Sequence, residues 1–268
     1  MTDKAPEGQS CRVDVRDVAE RAAEIKIAKL IAKKPIIAKA LEKLKTSALI
    51  KELDYHNFGH TDDVFHEAIF LVMANRQLGV NDLSEREIEL LAIAAVYHDM
   101  GFAEQYEGNE KKGAEAAREA MAKIRGYTEE EIKTVEQAIL DTTLRVGPGG
   151  AEGWFPTAGN KISAYLLDAD VANFGREDFL DNMRDVFAEL IRKIGWERIN
   201  LKDFYGRTQE RLNAHKWHTQ AAKRLWEEGK QKNLRILSLP ALKPEAYSPS
   251  SSSLLLQVGN AKKSAIIS

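Results

Sequence analysis

The stretch SEREIELLAIAAVYHDMG, residues 84–101, describes a buried helix with a defined start and a defined end. Ser84 followed three residues later by Glu87 is a capping box, which predicts that a helix begins here. The run that follows is largely apolar, and the final glycine predicts where the helix ends. His98 and Asp99 stand at that end. Such side chains are costly on a buried helix unless their charge is compensated, and a metal ion would compensate it.

The rest of the chain continues the helical pattern. Apolar residues recur at three- and four-residue spacing up to residue 237, without a convincing strand or hairpin pattern, so we predict an all-α protein. The sequence RVGPGG at 145–150 predicts a loop. The predicted helices cover residues 13–33, 36–53, 61–78, 84–98, 110–123, 128–143, 158–173, 176–194, 201–214 and 218–237.

Composition divides the chain into three parts. Residues 1–52 are predicted to form helices that pack on the core, residues 53–237 the main domain, and residues 238–268, with prolines and a serine run, a disordered tail. Eight lysines lie between residues 25 and 51. A basic amphipathic helix can lie on an anionic membrane. Because Pro35 interrupts the stripe and no tryptophan anchors it, we favour a solvated face on helices packed against the core.

The composition also limits the possible chemistry. The chain has 268 residues and a formal charge of −2, which gives no reason to expect nucleic-acid binding. Cys11 is the only cysteine, so any metal must be held by histidine and carboxylate. Such ligands suit iron, manganese or zinc, with magnesium possible at an oxygen-rich second position. No apolar signal core or bilayer-length apolar run is present, so we expect no membrane span and a cytoplasmic protein.

Two further stretches supply candidate metal ligands. In LDYHNFGHTDDV, residues 53–64, His56 and His60 are four apart, which brings them onto one face of a helix. In AYLLDADVANFG, residues 164–175, Asp168 and Asp170 lie in a largely apolar helix, where unpaired carboxylates are rare.

These residues define one candidate metal site. His60, His98, Asp99 and Asp170 would supply two nitrogen and two oxygen ligands and leave positions open for water and substrate. Asp168 points about 200° away from Asp170 around a helix and is a weaker ligand. The other three histidines are predicted to be structural or surface residues: His66, His215 and His218.

The motifs resemble those of a known family. YHNxxHxxDV at 55–64, the HD pair at 98–99 and DADVANFG at 168–175 resemble the HD-domain superfamily of metal-dependent phosphohydrolases. The first motif is similar to that of the cyclic nucleotide phosphodiesterases within it. The pair Asn109-Glu110 after the HD helix resembles the small, stand-alone bacterial type.

The resemblance implies a multi-helix HD-domain bundle in which His60, His98, Asp99 and Asp170 hold one or two divalent ions of Mn, Fe, Zn, Ni, Co or Mg. It implies that His56 is the proton donor to the leaving oxygen. Asp99 or Asp170 would orient the attacking metal-bound hydroxide. The predicted substrate is a small phosphate mono- or diester, in particular a nucleotide. Residues that could support the ligands or bind substrate are Asn57, Asp63, Asn109, Glu110, Arg145 and Lys161. For Arg145 and Lys161, an ordinary surface charge is the favoured alternative.

The chain also departs from the family pattern. Many binuclear members carry further histidines between the HD pair and the last aspartate, whereas no histidine lies between Asp99 and His215 here. Residues 138–146 offer Asp141, Thr142 and Thr143 instead, so a second ion would depend mainly on Asp99, water and substrate oxygens. The same lack argues against the oxygenase branch of the superfamily. A non-catalytic sensor or scaffold that keeps the fold is the alternative function.

Overall fold

The computed structural model describes residues 15–143, 157–195 and 199–238. These residues form helices without any strand, so the all-α prediction is confirmed. The predicted loop at 145–150 and the predicted tail after Ser238 lie outside the described residues. The helices are α1 Val15–Lys33, α2 Pro35–Thr46, α3 Ala48–Lys51, α4 Phe58–Gln77, α5 Glu85–Tyr97, α6 Asn109–Ala122, α7 Glu129–Asp141, α8 Lys161–Asp170, α9 Phe179–Ile194, α10 Leu201–Ala214 and α11 Gln220–Leu237, with 3₁₀ turns at Met100–Ala103 and Ala172–Gly175.

Local capping chemistry explains where helices begin. The predicted capping box of α5 is present, since the Glu87 amide donates to Ser84 Oγ at 3.2 Å and the Ser84 amide donates to the Glu87 carboxylate at 2.8 Å. α7 has the same arrangement at its start. The prediction of one helix over residues 36–53 is wrong. Ser47 is extended, with φ −62° and ψ 126°, and therefore ends α2, while its hydroxyl caps α3 by accepting from the Ile50 amide.

Helices α4 and α5 form the centre of the bundle. Every residue of α5 from Ile88 to Tyr97 is buried, because α2, α4, α6, α7 and α8 all pack around it. α1 covers another side of α4. His60 in the first turn of α4 and His98 directly after α5 therefore lie at the same end of the core. None of the helices in the described ranges has the length and apolar character of a membrane span.

Helix α11 clamps the turn that follows α8. Asp168 accepts hydrogen bonds from the backbone amides of His218 and Thr219, at 2.9 and 2.7 Å, just before α11 begins. Further along, the backbone of Gly229 lies against that of Gly175, so close that a Cβ at Gly229 would be 1.9 Å from the Gly175 carbonyl oxygen. α11 thus fixes the chain on both sides of Asp170.

This close approach gives a stability prediction. We expect Gly229→Ala to destabilise the protein by about 1–3 kcal/mol, because α11 must move away from the turn to admit a methyl group. Gly206→Ala is the matched control, since that glycine lies in α10 with no atom within 4 Å of the added Cβ. It should stabilise the protein by up to about 1 kcal/mol. Urea denaturation measures both, and a Gly229→Ala protein as stable as the parent would contradict the packing.

Candidate metal centre

The structure brings the four predicted ligand side chains together. His60 Nε2 lies 3.1 Å from Asp170 Oδ1 and 3.5 Å from Asp99 Oδ2. His98 Nε2 lies 3.2 Å from Asp99 Oδ2 and 3.5 Å from Asp170 Oδ1. Ligand atoms about 2.1 Å from one ion are roughly 3–3.5 Å apart, so these separations fit a shared cation. His60, His98 and Asp170 form a group whose ligand atoms all lie within 4.8 Å of one another and that could hold a metal ion.

His60 is positioned by the start of α4. Asn57 caps this helix, and its Oδ1 accepts from the backbone amides of Gly59 and His60 at 2.8 and 3.4 Å. The Asn57 amide group donates to the Asp54 carbonyl at 3.0 Å. Asn57 was predicted to contact an imidazole or a water, but both ends of its side chain are engaged with the backbone. Its contribution is to fix the helix turn that carries His60.

His98 is held with one ring nitrogen directed at the cluster. It is 1% exposed, and its Nδ1 lies 2.7 Å from the Ala95 carbonyl oxygen. That contact requires a proton on Nδ1, so a neutral His98 presents the lone pair of Nε2 to the cluster. Such a fixed tautomer is what a metal-binding histidine needs.

Two buried polar atoms of the cluster lack a hydrogen-bond partner. Neither His98 Nε2 nor Asp99 Oδ2 forms a hydrogen bond with any described residue, although the two atoms lie close to each other. The other oxygen of Asp99 accepts from Asn109 Nδ2 at 3.3 Å. Leaving buried polar atoms unpaired is unfavourable, and coordination of a cation satisfies both. The residues present therefore fit a bound metal ion.

The electrostatics of the cluster agree with a site for positive charge. Burial alone would raise the pKa of Asp99, but the neighbouring imidazoles, chiefly His98, outweigh it and lower the pKa. Asp170 follows the same pattern through His60 and His98. Burial lowers the pKa of His98, yet Asp99 and Asp170 raise it overall. Both carboxylates stay ionised near neutral pH, and their charge is one that a divalent cation would neutralise.

His56 lies beside the cluster and binds a buried glutamate instead. Its Nδ1 is 2.6 Å from Glu189 Oε1, and Glu189 is 1% exposed. The backbone amides of Tyr55 and His56 donate to Glu189 Oε2 at 2.9 and 3.0 Å, and the Tyr106 hydroxyl donates to Oε1 at 2.9 Å. The His56 ring stacks on Phe102, with the ring centroids 4.7 Å apart. The imidazole is therefore fixed in position and orientation.

The glutamate also sets the charge of His56. Burial would raise the pKa of Glu189, but its hydrogen bonds with His56 and the backbone lower it to about 2. Burial lowers the pKa of His56, while the Glu189 contact and the charge of Asp99 raise it above the ordinary value. His56 is thus favoured as an imidazolium whose Nδ1–H donates to Glu189 and whose Nε2–H is left for another acceptor. The sequence reasoning missed Glu189, because it resembles the surface acids Asp181 and Asp185 on the same helix.

The remaining predicted residues differ in their placement. Glu110 is half-buried, and burial raises its pKa, with the nearby charges of Asp99 and Asp170 adding to the rise. Asp63 was expected to pair with a histidine. It instead forms a two-point ion pair with the guanidinium of Arg176, at 2.9 and 2.8 Å.

Of the two basic residues predicted to bind substrate, only Lys161 lies in the described ranges. Lys161 is the first residue of α8 and Asp170 the last, which separates them by about 13 Å along the helix axis. The Lys161 side chain is 64% exposed and its Nζ contacts the Asp82 carbonyl at 3.2 Å. It is therefore a surface charge, the alternative already favoured from sequence. Arg145 lies outside the described residues.

Four further polar residues considered in the sequence lie outside the cluster. Asp168 faces α11, as its angular separation from Asp170 predicted. Asp141 accepts from Gln137 at 2.7 Å and from the Gly159 amide at 2.8 Å. His66 is exposed, and its Nδ1 contacts the Asp62 carbonyl at 2.8 Å. His215 is buried against aromatic rings, and burial lowers its pKa to about 3.

A cavity of about 300 Å³ reaches His60 from the protein surface. Its wall carries the carboxylates of Asp54, Asp63, Asp178 and Asp185. Arg176 is the only arginine among the described residues that line it, and Asp63, Asp178 and Glu67 already neutralise that guanidinium. An acidic wall of this kind disfavours the binding of a phosphate group in this cavity.

Fold and site together define an all-helical protein with a buried histidine–aspartate cluster that could hold a metal ion. Comparison of the chain with family models, curated proteins and solved structures found no match. A family assignment therefore rests on the three sequence motifs and on the geometry of the cluster.

Proposed function

We propose that the protein is a metal-dependent phosphohydrolase of the HD-domain type. The observation that carries the proposal is the pair of buried, unpartnered atoms, His98 Nε2 and Asp99 Oδ2, directed at His60 and Asp170. The separate, glutamate-bound His56 beside them adds a proton donor to a metal site. A site that combines a metal ion with a proton donor can hydrolyse a phosphate ester. A purely structural ion would not require the proton donor.

The proposed metal ligands are His60, His98 and Asp170, with Asp99 completing the set. Two imidazoles and two carboxylates suit Mn, Fe, Zn, Ni or Co, while Mg would prefer a position richer in oxygen. A divalent ion held there supplies Lewis acidity, which polarises a phosphate group and makes a coordinated water acidic.

The chain's own residues supply the proton and the positioning. His56 donates its Nε2 proton to the leaving oxygen, while Glu189 keeps Nδ1–H in place and favours the imidazolium. Glu110, with its raised pKa, is placed to take up a proton near the centre. The proposed substrates are small phosphate mono- or diesters, and the YHN motif at 55–57 favours a cyclic nucleotide within this class.

A metal and substrate screen tests the proposed function. The purified chain is stripped of metal, reloaded with Mn, Fe, Co, Ni, Zn or Mg in turn, and assayed against nucleotides, cyclic nucleotides and bis-p-nitrophenyl phosphate. We expect turnover with at least one ion and none with the stripped chain. Tight metal binding without turnover across the panel would instead support the non-catalytic sensor.

The Glu189–His56 pair gives a pH prediction. His56 must be protonated to act as an acid, so activity should fall as pH rises through its raised pKa. Glu189→Gln removes the favourable charge and leaves burial, which lowers the pKa, as the dominant influence. We therefore expect the alkaline limb of the activity profile to move to lower pH in Glu189→Gln. Asp185→Asn on the same helix is the control, and an identical profile for Glu189→Gln and the parent would exclude the proposed role.

A further inference from the structure

The surface from the second half of α1 through α3 is strongly basic. Between residues 25 and 51 the chain has eight lysines, and Glu42 is the only acidic residue in that range. Two of the lysines form ion pairs with Glu85 and Glu89. The others are exposed and have no ion-pair partner among the described residues: Lys29, Lys33, Lys39, Lys43, Lys45 and Lys51.

α1 has a second apolar face in addition to the one that it packs on the core. Its buried residues, from Ala19 to Leu30, lie against α4. On the outside, Ile25 is 58% exposed, and the exposed Ala28 and Ala32 follow at three- and four-residue spacing, which places them on one face. Lys29 follows one turn after Ile25 on the same side. Apolar side chains and unpaired lysines are therefore adjacent on this surface.

The two helices that carry five of the six unpaired lysines, α1 and α2, contact each other. α1 packs on α4, and α2 packs on both α4 and α5. Pro35 occupies the first position of α2, so it separates two surface helices without removing either from the surface. One further exposed apolar side chain extends the region, Leu49 at 49%. We call the six unpaired lysines with these exposed apolar residues the basic face.

We propose that the basic face binds the surface of an anionic lipid bilayer. Lysine side chains close to anionic headgroups are attracted strongly, and their aliphatic stems can lie along the bilayer while the ammonium groups reach the phosphates. Exposed apolar side chains between them enter the headgroup region. The sequence alone favours a solvated face, and the combination of unpaired lysines with exposed Ile25 and Leu49 changes that interpretation.

The same observations disfavour other occupants. A second copy of this chain would place lysine opposite lysine. Protein interfaces are depleted in lysine, so an acidic protein partner fits less well than a lipid surface. A nucleic-acid backbone would attract the lysines but offers nothing to Ile25 or Leu49. The proposal is independent of the hydrolase activity, since none of these residues belongs to the metal centre.

Vesicle co-sedimentation of the full chain tests the proposal. We expect the protein to pellet with vesicles of phosphatidylcholine and phosphatidylserine, to stay in solution with phosphatidylcholine alone, and to be released by salt. A variant with four charge reversals, Lys29→Glu, Lys33→Glu, Lys39→Glu and Lys43→Glu, should bind at least about a hundredfold more weakly, since each lysine near such a surface strengthens binding roughly fivefold.

Two further variants make the result specific. The matched control reverses four exposed lysines elsewhere and should keep binding: Lys133→Glu, Lys216→Glu, Lys223→Glu and Lys232→Glu. Ile25→Ser with Leu49→Ser leaves the charge unchanged and should still weaken vesicle binding several-fold. Circular dichroism checks that each variant is folded. Failure of the full chain to pellet with phosphatidylserine, or equal weakening by the control reversals, would overturn the proposal. Vesicle binding that is unaffected by Ile25→Ser with Leu49→Ser and that is competed by DNA would also overturn the proposal.

Discussion

Asp170→Asn is expected to abolish binding of the proposed metal ion and, with it, the proposed activity, while the chain remains folded. The substitution replaces a charged ligand by a neutral amide of the same size at the position where His60 and His98 both approach within 3.5 Å. Loss of a group that only orients a ligand already costs about 10–100-fold in metal affinity. We therefore expect a loss of more than about a hundredfold, measured by metal analysis after dialysis and by metal titration.

Asp168→Asn is the matched control, because it makes the same chemical change two residues away on the same helix. Asp168 accepts the backbone amides that precede α11 and takes no part in the cluster. Its loss should cost about 1–3 kcal/mol of unfolding free energy and leave metal content unchanged.

Metal-dependent stability separates the two variants further. An ion at a hundred times its dissociation constant stabilises a folded protein by about 2.7 kcal/mol. This gain should appear in the parent and in Asp168→Asn, and be absent from Asp170→Asn. Equal metal content in all three proteins would place the ion elsewhere.

Local signals in the sequence predicted most of the helices. The two capping boxes, Ser84 with Glu87 and Thr128 with Glu131, define the starts of α5 and α7 through contacts within four residues, which a single sequence shows directly. The break at Ser47 was missed because the apolar spacing continues across it. Helical periodicity reports which side chains face a core, and it does not report one residue with extended backbone torsions.

The residues of the candidate centre could be predicted where they place a polar side chain in an otherwise apolar helix. His98, Asp99 and Asp170 are polar groups in apolar helices, and that conflict is visible in the sequence. Glu189 is just as buried, but it contacts His56 across 133 residues of chain, and nothing near it marks it as internal. The partner of Asp63 was missed for the same reason, since Arg176 approaches it only through the packing of the turn after α8.

His56→Ala should separate proton donation from metal binding. We expect a loss of about a hundred- to ten-thousandfold in kcat on a phosphodiester with an alkyl leaving group, because the alkoxide then leaves without a proton. Metal content should stay the same, since His56 contacts Glu189 and lies outside the group that could hold the ion. His66 is an exposed histidine in α4 that lies outside the centre. Its substitution His66→Ala should leave kcat and metal content unchanged.

The choice of leaving group decides between two roles for His56. With bis-p-nitrophenyl phosphate the departing phenolate is stable without a proton, so an acid contributes little and His56→Ala should retain most of the parental rate. If His56 instead positioned the substrate or the ion, both substrates would lose activity to the same extent. A loss confined to the alkyl ester assigns proton donation to His56. An equal loss of activity on both substrates would refute the proton-donor role of His56, even in a protein that keeps its metal.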